Sequence, residues 1–289
     1  ISFGIKKGLN LGVPVLVPKT GSFDPENARS IHAGGSHSAV VDAHGDIWVF
    51  GDNTYGQTGQ LDEDTTDKWQ PKQLGTSLRD LFGVGRLKNI SLVLGQHHTL
   101  VRAVSANNTG MLWALGKFWQ PRGSPIRLQI GVENSVTGIL CSGDNHGVFK
   151  TSDGRLWAVG DNTYGQLGVP DHVLDSTPTP TPVLIGTATT GGGHQEWADP
   201  FEGRHIGAVR CGQDHTAVLA EDKLVTFGSN VYGQLLSESN AGLNNPNYVW
   251  LDFAKRIAAV VDSDLLYGHE NAVSNQPILL YSFLVRLIY

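Results

Sequence analysis

Four histidines follow a glycine at one fixed offset, G-x-x-H, at Gly34 and His37, Gly95 and His98, Gly143 and His146, and Gly212 and His215. Converging imidazoles are the commonest ligands of zinc and its neighbours, so a fourfold G-x-x-H has the raw material of a metal site. The acids beside these anchors, Asp144, Asp214 and Glu270, keep no common spacing and form no carboxylate pair for acid–base work. One histidine per repeating unit fits a structural post better. Such an imidazole points inward, bonds backbone groups of its own unit and stands too far from its sisters to share an ion. This reading expects no metal and no cofactor, and it leaves His44 and His97 to solvent. The glycine-rich run at 191–194 has neither a lysine nor a helical pattern after it, so it is not a phosphate loop. G-x-S-x-G, H-E-x-x-H and C-x-x-C do not occur. The expectation is a chain that is not an enzyme.

The elements that must carry these residues are copied along the chain. Residues 146–168 recur, with faults, from His37 and from His215. A four-residue strand ending before glycine repeats as I-W-V-F at 47–50, L-W-A-L at 112–115, L-W-A-V at 156–159 and L-V-T-F at 224–227, so Trp48, Trp113 and Trp157 share one column. Apolar residues on both pleat faces suit a strand packed between neighbouring units. After it comes a turn, D-N-T-Y-G-Q at 52–57 and 161–166 and S-N-V-Y-G-Q at 229–234. Asn53, Asn162 and Asn230 can bond their own backbone there, and the glycine supplies positive φ. Repeat two has lost this turn.

Each unit opens on P-x-x-aliphatic, at Pro14, Pro71, Pro125, Pro182 and Pro246, as suits an edge or outer strand. The repeats then run over 14–70, 71–124, 125–181, 182–245 and 246–289, with 1–13 as the tail of a preceding copy, all in one domain over 1–289. Phe3 and Phe283 fall in the same column 280 positions apart, five periods averaging 56.

The 289 residues include 36 glycines, only 17% are charged, and the formal net charge is -6. Many glycines and few charges suit short strands joined by turns, so the class is all-β. No basic field exists to hold a phosphate backbone, and direct nucleic-acid binding is not expected. The longest apolar run, 278–289, is too short to span a bilayer and contains Arg286. Cys141 and Cys211 read as free core thiols, each in a buried strand of its own unit, which points to a reducing, intracellular compartment and a soluble chain.

P-x-x-V, then G-x-x-H-[ST], then G-x-[IL]-W-x-[FV]-G-x-N-x-[YF]-G-Q-L-G resembles the repeat of the regulator of chromosome condensation family over essentially the whole chain. The motifs are specific in repeats one, three and four and decayed in two and five. The resemblance implies a β-propeller with about one four-stranded blade per repeat, usually seven in a ring. Five repeats are fewer than that, and an incomplete ring exposes blade edges. The expectation is a partial chain, with ring closure by residues 1–4 pairing with C-terminal strands as the alternative. The resemblance also implies function: a non-catalytic protein–protein interaction scaffold, as subunit or adaptor of a larger assembly, or else a guanine-nucleotide exchange factor for a Ran-like small GTPase. Plant ultraviolet photoreceptors of this repeat type carry G-W-R-H-T at the anchor. This chain has G-G-S-H-S, G-Q-H-H-T, G-D-N-H-G and G-Q-D-H-T instead, which disfavours a photoreceptor.

Function should lie where the repeats disagree. Repeat four carries the longest surplus, at 186–205, and loops on a rigid scaffold carry binding function disproportionately. His194, Glu196, Trp197, Phe201 and Arg204 are the candidate partner-binding residues in it, aromatic anchors among polar neighbours.

Overall fold

A computed structural model describes residues 2–6, 9–17, 19–59, 68–74, 88–105, 108–117, 126–130, 135–169, 182–189, 195–221, 223–236 and 249–252. Nearly all regular structure in them is strand. β1 (Ser2–Lys6) and β2 (Leu9–Val15) form an antiparallel ribbon, and a one-turn 3-10 helix over Pro25–Asn27 leads into the first blade.

Four four-stranded antiparallel sheets follow. Blade one is β3 (Ala28–Ala33), β4 (His37–Asp42), β5 (Ile47–Gly51) and β6 (Lys68–Gln73). Blade two is β7 (Lys88–Leu94), β8 (His98–Val104), β9 (Gly110–Gly116) and β10 (Ile126–Leu128). Blade three is β11 (Val136–Ser142), β12 (His146–Thr151), β13 (Leu156–Gly160) and β14 (Val183–Leu184). A separate ribbon, β15 (Thr187–Thr189) with β16 (Gln195–Trp197), precedes blade four: β17 (Ile206–Cys211), β18 (His215–Ala220), β19 (Lys223–Gly228) and β20 (Val249–Asp252). The first strand of each blade packs beside the first strand of the next, β3 on β7, β7 on β11 and β11 on β17. This is the blade succession of a β-propeller. The fifth repeat beyond β20, and with it the C-terminal partner of the alternative ring closure, lies outside the described residues; residues 2–4 lie in β1, which pairs with β2.

Sequence repeat and structural blade are offset by one strand. The proline-headed strand that opens a repeat is the outer strand of the blade before it: Pro71 lies in β6, and β20 comes from the start of repeat five. Each first strand also carries a bulge near its start, between Ala28 and Ser30, Lys88 and Ser91, Val136 and Gly138, and Ile206 and Ala208. A bulge adds local twist, which turns the start of each inner strand out of the blade plane.

The apolar cores lie between blades. Ala39 and Val49 of blade one meet Leu92, Trp113 and Leu115 of blade two. Leu100 and Leu112 of blade two meet Val136, Phe149 and Val159 of blade three. Val148 and Ala158 of blade three meet Val209, Val218, Val225 and Phe227 of blade four. Strands of this kind need apolar groups on both faces, which explains why the I-W-V-F and L-W-A-L columns do not alternate.

One expectation is overturned in this core. Cys141 and Cys211 are joined in a disulfide, with Cα atoms 5.5 Å apart and 70 residues of sequence between them. Each does lie on the first strand of its own blade, but β11 and β17 are adjacent strands, so residues in successive repeats become neighbours across the blade boundary. The inference of free thiols, and of a reducing compartment from them, falls with it.

Candidate functional site

The G-x-x-H loops join first to second strands, and the N-x-Y-G-Q turns join third to fourth strands. In an antiparallel blade these two connections emerge on one face. Second-to-third and blade-to-blade connections emerge on the other.

On the first face the histidines form a ladder. A Cβ on Gly95, Gly143 or Gly212 would overlap the ring of His98, His146 or His215, so the glycine is what lets the imidazole fold back over the loop. Nε2 then faces the next blade. It lies 2.8 Å from Thr99 Oγ1 for His37, 2.7 Å from Ser142 Oγ for His98 and 3.0 Å from Thr216 Oγ1 for His146. The expected partners, backbone groups of the same blade, are replaced by hydroxyls of the following one. Thr99 and Thr216 in turn donate to the carbonyls of Gln57 and Gln166, each 3.0 Å away. A hydroxyl has one proton to give, so Nε2–H must be the donor in both cases. Burial drives His37 and His146 down to about 4, against the pull of Asp52 on His37 and with that of His215 on His146. Burial and then the neighbouring His146 and His37 bring His98 to about 3. His215, half-buried, is lowered less, by burial, with Asp214 opposing.

Repeat three breaks the pattern and repairs it. Gly147 stands where Thr99 and Thr216 stand, because Leu100 of blade two occupies the space a Cβ would need. The hydroxyl comes instead from Ser142, the register partner of Gly147 on β11. No group of three or more histidines, cysteines or acids among the described residues could hold a metal ion.

The other repeated residues shape turns and core. Asn53 Oδ1 accepts from Thr58, Asn162 Oδ1 from the Leu167 amide at 2.9 Å and Asn230 Oδ1 from the Leu235 amide at 3.0 Å. Trp48 Nε1 donates to Asp42 Oδ2 at 2.9 Å and its ring meets Phe23, centroids 5.4 Å apart. Trp113 is fully buried between blades one and two, and Trp157 packs at the edge of the cluster between blades two and three. His97, expected in solvent, packs its ring 4.8 Å from that of Tyr55, with Lys117 Nζ 5.1 Å from the Tyr55 centroid and Asp52 Oδ2 3.8 Å from His97 Nδ1. Asp214, on the same face, has its carboxyl raised by burial and then by Asp144 and Asp161.

The insertion of repeat four lies on the opposite face. β15 and β16 pair Thr187 with Trp197 and Ala188 with Glu196, so Glu196 and Trp197 sit on the second arm of a hairpin. His194 lies outside the described residues. After the hairpin, Asp199 accepts from the amides of Phe201 and Gly203 and shapes a tight loop. Phe201 is only 6% exposed and joins the core between blades three and four, so it anchors the loop from beneath and is not a surface contact. Arg204 pairs with Glu202, which also meets Lys223 at 3.7 Å. The turn around Phe201 has a sequence signal, the aspartate and glycine flanking it in D-P-F-E-G, but the burial of its ring has none.

The blades, the cores between them and the histidine ladder define a β-propeller of the kind built from a glycine–histidine repeat. Family models for the Regulator of chromosome condensation (RCC1) repeat match residues 153–219 and 28–57. The chain is 26% identical over 247 residues to the Arabidopsis thaliana protein "Ultraviolet-B receptor UVR8", covering 81% of this chain and 49% of that protein. It is 27% identical over 261 residues to the Homo sapiens "X-linked retinitis pigmentosa GTPase regulator", covering 74% and 24%. Among solved structures it resembles Prp20p of Saccharomyces cerevisiae with a TM-score of 0.54 and 20% identity, covering 77% of this chain and 50% of that one. Human WBSCR16 gives 0.53 and 23%, over 77% and 52%. The chain thus spans half or less of the curated relatives it matches. Residues 28–57 and 153–219 are thus RCC1-type repeats, set in a β-propeller. Among the described residues no helix is long and apolar enough to cross a membrane, which says nothing of a β-barrel.

Proposed function

We propose that the chain is a non-catalytic platform for protein partners, engaged through the insertion at 186–205. The observation that carries this reading is the mounting of the β15–β16 hairpin. Its base is fixed by Phe201 in the core and by the Asp199 turn, so the strand that contains Glu196 and Trp197 rises from a held base. A rigid base lowers the ordering cost of binding. Replacing 187–197 by a short turn, with Phe201 kept, should abolish capture of the partners the intact chain retains while leaving the thermal transition within a few degrees. Unchanged capture would remove the hairpin as the site.

A second reading is exchange of guanine nucleotide on a Ran-like small GTPase. It is supported by the description of one relative as a GTPase regulator and by the study of Prp20p binding to Gsp1p. An exchange factor accelerates release of labelled GDP at substoichiometric amounts, whereas a platform forms complexes without changing that rate. A localisation inside cells and an adaptor or subunit role accompany the first reading. Fractionation of the tagged chain by size tests whether it migrates with a larger assembly.

A further inference from the structure

Neither reading of function uses the cross-link between Cys141 and Cys211. Its place is particular. Cys141 is 8% exposed and shares the apolar cluster of Val148, Val209 and Val218, while Cys211 is half-buried at the same seam, which leaves an approach from the β17 side. Ser142, next to Cys141, holds His98. Thr216, the register partner of Cys211, holds His146. The bridge therefore ties β11, which carries Ser142 of the second rung, to β17, whose neighbour β18 carries Thr216 of the third. The turn after β19, on the ladder face of blade four, exposes Val231, Leu236 and Tyr232, the last 93% exposed. The covalent tie of blade four is on its side toward blade three.

We propose that Cys141–Cys211 is a reversible thiol–disulfide exchange site for dithiol reductants, and that its state sets how firmly blade four is held to blade three. In the step, a thiolate of the dithiol attacks one sulfur, the S–S bond breaks and a mixed disulfide forms. The second thiol of the reductant resolves it. Two electrons pass to the pair, Cys141 and Cys211 leave as protonated thiols, and the dithiol leaves as its own disulfide. The cluster around Val209 and the bond from His146 to Thr216 remain after reduction, so blade four stays folded. What is lost is the closure of a long loop, which narrows the open ensemble.

The test uses the full chain and dithiothreitol. Protein equilibrated with oxidised glutathione should resist iodoacetamide at both cysteines, and after dithiothreitol both should be alkylated, read by mass spectrometry. Amide hydrogen exchange in β17, β18 and β19 should then accelerate by at least about tenfold, while β4 and β5 keep their rates. Cys211→Ser should show the fast profile without reductant. If that variant fails to fold, reduction of the folded parent chain still decides the matter. Alkylation of both thiols in the glutathione-oxidised protein, or exchange in β17 to β19 unchanged by reduction, overturns the proposal.

Discussion

Thr99 and Thr216 each lie between a histidine of the preceding blade and a glutamine carbonyl of that same blade, and they satisfy both. Removing such a hydroxyl strands a buried N–H and a buried carbonyl together. Thr99→Val should therefore lower stability by about 1–3 kcal/mol, seen as a shift in the urea midpoint, and Thr99→Ser by clearly less. Ser142→Ala should behave like Thr99→Val, because Ser142 is the substitute hydroxyl for Gly147. The ladder also sets an acid limit. Unfolded, these imidazoles bind protons near 6.5; folded, His37 and His146 do so only at about 4 and His98 at about 3. The unfolded chain thus binds more protons in that window, so stability is full above about pH 6.5 and falls as pH drops toward 3 to 4. Urea midpoints across that range test the slope, and His98→Gln should flatten it. The sequence showed where the histidines stand but not what they touch. The hydroxyl after the histidine, H-[ST], serves the histidine of the preceding blade, and only the loss at Gly147 paired with the gain at Ser142 betrays it.

Turns and the insertion behave as elements with their own constraints. Gly59 and Gly168 end their turns at φ of 66° and 65°, and at the corresponding place blade four has Leu236 at 58°. A side chain in that left-handed region costs about 1–2 kcal/mol, and Leu236 is exposed, so it recovers little by packing. Leu236→Gly should raise the thermal transition, a gain of about 1 kcal/mol after the entropy of glycine is allowed for. In the insertion, Phe201→Ala should cost about 3–5 kcal/mol. Replacing 187–197 should cost little, and comparing the two by denaturant unfolding separates anchor from hairpin. Strand columns, turns and the existence of the insertion were legible because each is set by local periodicity and by glycine or proline. The depth of Phe201 was not, since an aromatic in a polar loop reads the same whether it points up or down.

At the scale of the molecule, the all-β class follows from composition and the copied pattern and the four-stranded blade from the family resemblance, and the described blades agree with both. Two things were hidden there because both cross a repeat boundary: the disulfide, which needs β11 and β17 side by side, and the offset that gives each blade a strand from the next repeat. The offset makes a prediction. A chain ended before Val249 leaves the β19 edge without β20, and such an edge pairs with other molecules. Light scattering should show self-association that the full chain lacks.

The same offset bears on synthesis. As the chain leaves the ribosome, no blade can finish when its own repeat is complete, since its last strand is the first segment of the following one. Every translational pause at a repeat boundary therefore holds one three-stranded sheet waiting for its neighbour's opening words, and a chaperone that covers bare strand edges would find its substrate there, once per repeat.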